Sequence, residues 1–323
     1  MAGKSMTARW PALANVSIRE LLLVLGVIVI TAGVSIGSQG NFWAASNLTN
    51  LMISTAITLV PAVGMTVIIV TGGIDVSVGS MLGLVAVAGG TAFEYGLGLA
   101  AATPVFLIAG ALLGFINGAL ITYGRVPPVI ATLGTLSVYR AAAFLFLGNH
   151  WITMIPPTVT ETLVLTQPLG IPVAVWIALV VLAVCMVFLA RLPRGRHIFA
   201  IGNNENAARL NGIPVERIKL AAYTLTGVLV GIAALMSLGH SPMVQTTTGT
   251  GFELTVIAAV VLGGTELTGG RGSLLGTLLG AILVGLVQNG VVLLHIQPFW
   301  SGVVLGVIIL LSVGSATVRR SQD

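Results

Sequence analysis

Residues 51–70 contain no charged side chain, and runs of that kind recur along the whole chain. A helix needs about 20 apolar residues to cross ~30 Å of hydrocarbon. Reading each run as one crossing gives about ten: 21–37, 51–70, 78–96, 99–121, 128–147, 171–190, 220–238, 254–264, 274–294 and 300–313, of which the eighth is short. Charged residues are 7% of 323, against ~25% in an ordinary globular domain, which is too few to cover a water-facing surface. Both halves are equally apolar, which leaves no room for an appended soluble domain. The sequence therefore predicts an all-α membrane protein, with residues 1–323 forming one transmembrane domain.

Lys and Arg in short loops mark the cytoplasmic side of a membrane. With both termini placed inside, Lys4, Arg9, Arg19, Arg125, Arg191, Arg194, Arg196, Arg209, Arg217, Lys219, Arg271, Arg319 and Arg320 all fall in cytoplasmic segments. Among the 14 basic residues, Arg140 is the exception, and it lies inside the fifth run. Residues 1–20 and 314–323 then become cytoplasmic ends, and 191–217 one long cytoplasmic loop. The net charge of +5 is thereby read as an orientation signal and not as a nucleic-acid stripe. No small-residue cleavage site follows the first run, so it is read as an anchor. Cys185 is the single cysteine, which excludes an intrachain disulfide, and the four histidines show no metal-ligand spacing.

Glycines stand four apart in two ladders, Gly110, Gly114, Gly118 and Gly272, Gly276, Gly280. Small residues at that spacing let membrane helices approach closely, either within one bundle or across a seam between chains. In the long loop, residues 204–210 have helical composition, with Asn203 as N-cap and Gly212 as stop. Ala207, Ala208 and Leu210, flanked by Glu205 and Arg209, make a thin apolar face for lipid, which points to a protein partner. "TVIIVTGGIDVSVGSMLG" from Thr66 also echoes "TVIAAVVLGGTELTGGRGSLLG" from Thr255, which would make Asp75 and Glu266 counterparts in two cytoplasmic turns.

Four stretches carry a resemblance: "GGIDVSVGS", "GFINGALITYGRVPPVIATLGTLSVYR", "GRHIFAIGNNENAARLNGI" and "GTGFELTVIAAVVLGGTELTGGRGSLLGTLLGA". In this order, over residues 50–313, the chain resembles the permease subunits of bacterial ATP-binding-cassette importers for ribose, xylose, rhamnose and autoinducer-2. The resemblance implies a multi-pass inner-membrane pathway formed with a second permease chain, identical or sister. It implies a cytoplasmic ATPase that holds ATP and Mg, and a periplasmic binding protein that delivers the sugar. It also implies that the loop between the sixth and seventh spans docks the ATPase, at Asn203, Asn204, Glu205, Ala207, Ala208, Arg209 and Gly212. No cofactor site is expected on this chain, since "AGKS" at residues 2–5 lacks the upstream Gly and the strand of a phosphate loop. No nucleophile, acid–base pair or metal constellation suggests an enzyme.

The transport candidates are Asp75, Ser77, Asn117, Arg140 and Glu266. Asp75 and Ser77 can offer acceptors to free N–H groups where the third run begins, and the negative charge suits a helix N-terminus. An architectural turn at the inner mouth is the preferred reading, with a gate or a direct sugar contact as the alternative. Asn117 bonds across helices or lines the pathway. Arg140 lies about 18 Å along the fifth run, where a cation costs at least ~2.5 kcal/mol and needs protein or water around it. Glu94 is the acid nearest in expected depth, with Glu161 and Glu253 as alternatives. A buried Arg140–Glu94 pair is preferred to a role for Arg140 as donor to sugar hydroxyls. An ion-coupled secondary transporter, the rival reading, would need acids in mid-membrane, whereas here they cluster at run ends.

Overall fold

A computed structural model of the chain describes residues 18–297, 300–304, 306–307 and 310. Residues 1–17 and the tail 314–323 lie outside the described residues, as do Lys4, Arg9, Arg319, Arg320 and much of the tenth run. The helices are α1 (Ile18–Gly37), α2 (Ala45–Val70), α3 (Val78–Glu94), α4 (Leu99–Thr122), α5 (Pro128–Leu147), α6 (Pro157–Thr160), α7 (Val173–Arg191), α8 (Pro193–Asn203), α9 (Glu205–Leu210), α10 (Val215–His240), α11 (Phe252–Leu262) and α12 (Leu274–Leu293). Each of the first nine expected runs coincides with one of them. Among the described residues six helices, α2, α4, α5, α7, α10 and α12, are long and apolar enough to cross a bilayer. Three further apolar helices are shorter: Leu23–Gly37 within α1, α3 and α11.

Two of these spans are apolar on every side yet end in opposite environments. In α2, 89% of the apolar window is buried, against 22% in α7. The side chains explain it. α2 carries Gly64 for close approach and hydroxyls that return to its own backbone: Thr58 donates to the Ser54 carbonyl (3.1 Å) and Thr66 to that of Ala62 (2.8 Å). Thr66 also lies 2.7 Å from the Thr277 hydroxyl, which fastens α2 to α12. α7 has no glycine and no hydroxyl, and turns Val180, Val184 and Val187 outward. A surface of that kind suits acyl chains better than another helix.

Both glycine ladders pack inside this one chain. A Cβ at Gly110 would strike the Gly227 carbonyl oxygen of α10, one at Gly114 the Tyr223 carbonyl, and one at Gly118 the Leu220 side chain. Gly276 and Gly280 meet Gly263 and the Ala259 carbonyl of α11 in the same way, and Gly272 meets Val70.

The eighth run is not a full crossing. After α10 the chain returns without helix over residues 241–251, irregular to Gln245 with one bridge at Val244 and then in turns over 246–251, before α11 begins. Val244 forms an isolated antiparallel bridge with Ile152 beside Gly90 of α3, the Thr248 carbonyl sits at Gly83, and Gly249 sits at Gly79. From Gly90 to Gly79 is about 16 Å along a helix, so α11 starts deep within the bundle, and the missing half of the crossing is this non-helical segment. At the opposite pole from that segment's start, the helix ends carrying Arg125, Arg191, Arg217 and Arg271 gather into one basic end. There the Gly270 N–H donates to the Val70 carbonyl (2.9 Å) and Gly202 of α8 packs on both.

Gly227→Leu is expected to lower the melting temperature of the detergent-purified chain by the equivalent of ~3 kcal/mol or to prevent folding, because the obstructing atoms are backbone. Gly134→Ala, whose added Cβ meets nothing within 4 Å, is expected to leave it unchanged.

Candidate functional site

The buried acid comes into place through the way α2 ends. Gly72 takes φ +78°, its N–H donates to the Ile69 carbonyl (2.9 Å), and the Gly73 N–H reaches back to that of Ile68 (3.1 Å). This left-handed glycine closure turns the chain sharply, and Asp75 enters the bundle with no exposed surface. Its Oδ1 accepts from the Ser77 N–H (2.9 Å) and the Ser77 hydroxyl (2.6 Å), and its Oδ2 from the Asn117 amide (3.0 Å). The same Asn117 Nδ2 donates to Ser77 Oγ (2.8 Å). Asn117 Oδ1 in turn faces the Tyr139 hydroxyl (3.0 Å), which also lies 2.9 Å from the Leu113 carbonyl. Tyr223 of α10 donates to the Ile74 carbonyl next door (3.2 Å). Among the described residues no cation pairs with Asp75. The carboxyl is held by hydrogen bonds alone, and they tie the turn to α4, α5 and α10.

The echoed turn has the same backbone and different chemistry. Gly264 has φ +85°, with its N–H on the Val261 carbonyl (2.9 Å) and the Thr265 N–H on that of Val260 (3.2 Å). Glu266, however, is not the counterpart of Asp75. It is partly exposed, 3.6 Å from Arg271, and Ser273 does the capping by accepting from the Gly276 N–H (3.1 Å).

The expected Arg140–Glu94 pair does not form. Glu94 stands at the outer end of α3 against His150 (2.7 Å), while Arg140 lies beside Gly83, about 16 Å lower at helical rise. Its guanidinium donates instead to the Thr248 carbonyl (2.8 Å) in the turns of the non-helical segment, and Glu253 is the acid whose field it feels. Glu253 belongs to the first turn of α11, and its buried Oε2 has no hydrogen-bond partner among the described residues; it occupies the space beside Gly79. Thr247 and Thr250 of the same segment are exposed, and Gln245 and Thr246 half-buried. A cavity of about 390 Å³ adjoins it, with Ile57, Ser237, Gly249, Thr250, Phe252 and Gln288 in the wall. Irregular polar backbone at membrane depth is tolerated only where it is enclosed by protein or faces water.

The long loop folds as α8 followed by α9. The cap of α9 is Asn204, one residue later than expected: its Oδ1 accepts from the Ala207 N–H (2.9 Å), while Asn203 ends α8 and donates to the Phe199 carbonyl (2.9 Å). Gly212, at φ +77°, stops the helix as expected. Ala208 is buried on Ile201 and Val215, so the loop has a small core of its own. Arg209 joins Glu205 (2.8 Å) to Glu216, and Lys219 also reaches Glu205 (2.6 Å). Burial works to raise the Glu205 carboxyl, but Lys219 and Arg209 outweigh it and hold the group below its ordinary value. It is therefore ionised at neutral pH, and its stabilising contribution is lost only as pH falls through that lowered value. What remains outward besides the ion-paired Arg209 is uncharged: Asn203, Asn204, Asn206, Ala207 and Leu210, the last 90% exposed.

Tyr139, Tyr223 and Thr248 were not singled out by the sequence, and Glu253 was named for Arg140 only as an alternative to Glu94. The polar run "SPMVQTTTGTG" between two apolar helices was the available signal for the non-helical segment.

Compared with known proteins, residues 47–313 match the family model described as branched-chain amino acid transport system / permease component. The ribose import permease protein RbsC of Escherichia coli (strain K12) is 37% identical over 301 residues, 91% of this chain and 92% of that protein. RbsC of Haemophilus influenzae is 35% identical over 292 residues, 90% of each chain. The autoinducer 2 import system permease protein LsrC of Yersinia pseudotuberculosis is 34% identical over 296 residues, 90% of this chain and 83% of its own. No solved structure matched.

Asp75→Ala strands three donors at once and is expected to cost ~3 kcal/mol or more. Asn117→Ala added on top is expected to cost far less than it does alone, since the two residues share one network. Melting temperatures of the two single variants and the double variant measure this; additive losses would show the residues to be independent.

Proposed function

The chain belongs to the family of branched-chain amino acid transport system permease components, and on that premise we propose that it is the membrane pathway subunit of an ATP-driven, binding-protein-dependent importer of a monosaccharide or sugar-like solute. Its relatives named for ribose and autoinducer 2 cover nine-tenths of the chain, which favours a small polyhydroxylated cargo over an amino acid. The observation that carries the reading is the α8–α9 loop. It is ordered by its own core and ion pairs, stands at the basic end, and presents a tip, uncharged apart from the ion-paired Arg209, that nothing among the described residues covers.

With the basic end facing the cytoplasm, in keeping with the positive-inside rule, that tip receives a cassette ATPase. ATP and Mg belong to that partner. The opposite side receives a solute-binding protein, and a second permease chain, identical or sister, completes the pathway in a bacterial inner membrane. Movement at α9 has a short route inward. Gly202 and Asn203, at the end of α8, pack on Val70 and Gly270, and Val70 leads in five residues to Asp75. Asp75, Ser77 and Asn117 act in this reading as the clamp that makes the turn move as a unit with α4, α5 and α10. Arg140 and the segment 241–251 form polar wall along the path, and Glu266 with Arg271 braces the neighbouring turn.

Glu253 supports a second reading. It is an acid well inside the bundle, which an ion-coupled transporter would require. Reconstitution with the ATPase and binding protein separates the two. ATP-stimulated uptake is expected, and replacing residues 205–209 by a Gly/Ser linker is expected to lower it at least ~tenfold together with ATPase co-purification. Uptake driven by an ion gradient without the ATPase would overturn the proposal. Within the ATP-driven system Arg140→Ala is expected to reduce uptake more than Glu253→Ala, because it takes the cation away from both the Thr248 carbonyl and the Glu253 carboxylate.

A further inference from the structure

At the basic end a groove of about 390 Å³ opens between α7, α8 and α10, with α2 behind it. Its apolar wall includes Val67, Phe188, Ile198, Ile218, Ala222 and Leu225. Its rim carries Arg194, His197 and Arg217 and no acid. Both arginines are exposed, and among the described residues none of the three side chains makes a hydrogen bond or ion pair. The acids nearest in sequence, Glu205 and Glu216, are engaged by Arg209 and Lys219.

The arrangement is amphipathic along the membrane normal. From Arg217 to Leu225 is about 12 Å along α10, so positive charge lies at the depth of lipid headgroups and apolar wall runs up beside it into hydrocarbon. The adjoining flank of α7 is bulky valine. A soluble anion would use the rim and leave the wall empty; a neutral lipid would use the wall and leave two arginines unpaired. Only a molecule with a negatively charged head and an acyl tail uses both. Basic pockets between membrane helices on the cytoplasmic side are suited to such headgroups.

We propose that this groove binds one anionic glycerophospholipid, with its phosphate between Arg194, His197 and Arg217 and an acyl chain along Val67, Phe188 and Leu225. The occupant is independent of which solute the chain carries and of what drives transport.

The test is native mass spectrometry of the full chain in mild detergent, with phosphatidylglycerol or phosphatidylcholine of equal chain length. One phosphatidylglycerol is expected to be retained with about thirtyfold preference, as two arginines near a headgroup would confer. The double variant Arg194→Gln, Arg217→Gln is expected to abolish the preference. So is Ala221→Trp, which keeps both arginines and fills the groove. Arg125→Gln, which removes a basic residue elsewhere at this end, is expected to keep it, and melting temperatures identify folded variants. A preference that survives both groove variants, equal retention of the two lipids, or displacement of the lipid by inorganic phosphate alone would overturn the proposal.

Discussion

A carboxylate withdrawn from water at the end of a membrane helix stays there only if the protein replaces the water it has lost; unpaired, it would cost several kcal/mol. Asp75 has no cation beside it, so the replacement is made of oriented donors: the Ser77 N–H, the Ser77 hydroxyl and the Asn117 amide. Each donor is itself held. Asn117 can offer its N–H groups to Asp75 and Ser77 because the Tyr139 hydroxyl takes its oxygen. Asn117 also sits within the Gly114–Gly118 stretch of α4, where backbone meets the backbone of α10. The ladder and the cage thus depend on one another: a wider α4–α10 spacing would carry the amide away from the acid.

The same rule governs the other irregular part of the bundle. Residues 241–251 give up helical hydrogen bonds inside the membrane, and their groups need other partners. Val244 and Ile152 exchange backbone bonds, and Arg140 supplies a donor to the Thr248 carbonyl. Gly79, Gly83 and Gly249 let this segment and α3 come close enough for contact without side chains between them. Arg140 is therefore explained first by the backbone it satisfies, and its place on a hydrated wall follows from the exposed threonines beside it.

Much of this was legible in the sequence. Uncharged runs located the helices, and glycine spacing announced close approach, because both signals are local and periodic. The Gly-Gly-x-Asp/Glu echo pointed to two glycine-closed helix ends but one residue out of register, since positive φ falls on the first glycine, Gly72, in one turn and on the second, Gly264, in the other. It failed for the side chains: whether an acid is buried against Asn117 or left beside Arg271 depends on residues far away in sequence. Arg140 went to the wrong partner for a related reason. Glu94 was chosen as the acid nearest in expected depth, but Arg140 lies beside Gly83, about 16 Å from Glu94 along α3. The segment that brings Thr248 and Glu253 to Arg140 is irregular and turns over 246–251, which helix counting does not reveal. The burial of α2 and the exposure of α7 are likewise marked by their small and hydroxyl residues.

The two glycine turns bear on how a push at the cytoplasmic surface could reach the solute path. Val70 gives its carbonyl to Gly270, and Gly202 fits against both with no room for a Cβ. Three elements, α2, α8 and the α11–α12 turn, therefore meet through backbone, which does not swivel as side chains do. Five residues beyond Val70 is Asp75, bonded to Asn117 of α4, which Tyr139 of α5 holds in turn, while the neighbouring Ile74 carbonyl accepts from Tyr223 of α10. At the other end of α11 are Glu253 and the non-helical segment. A displacement of α8 cannot be absorbed by rotamer changes at the junction and must pass into both α3 and α11. These are the two elements that face each other across Gly79, Glu253 and Gly249, so under the docking proposed for the α8–α9 loop the polar wall would move with it.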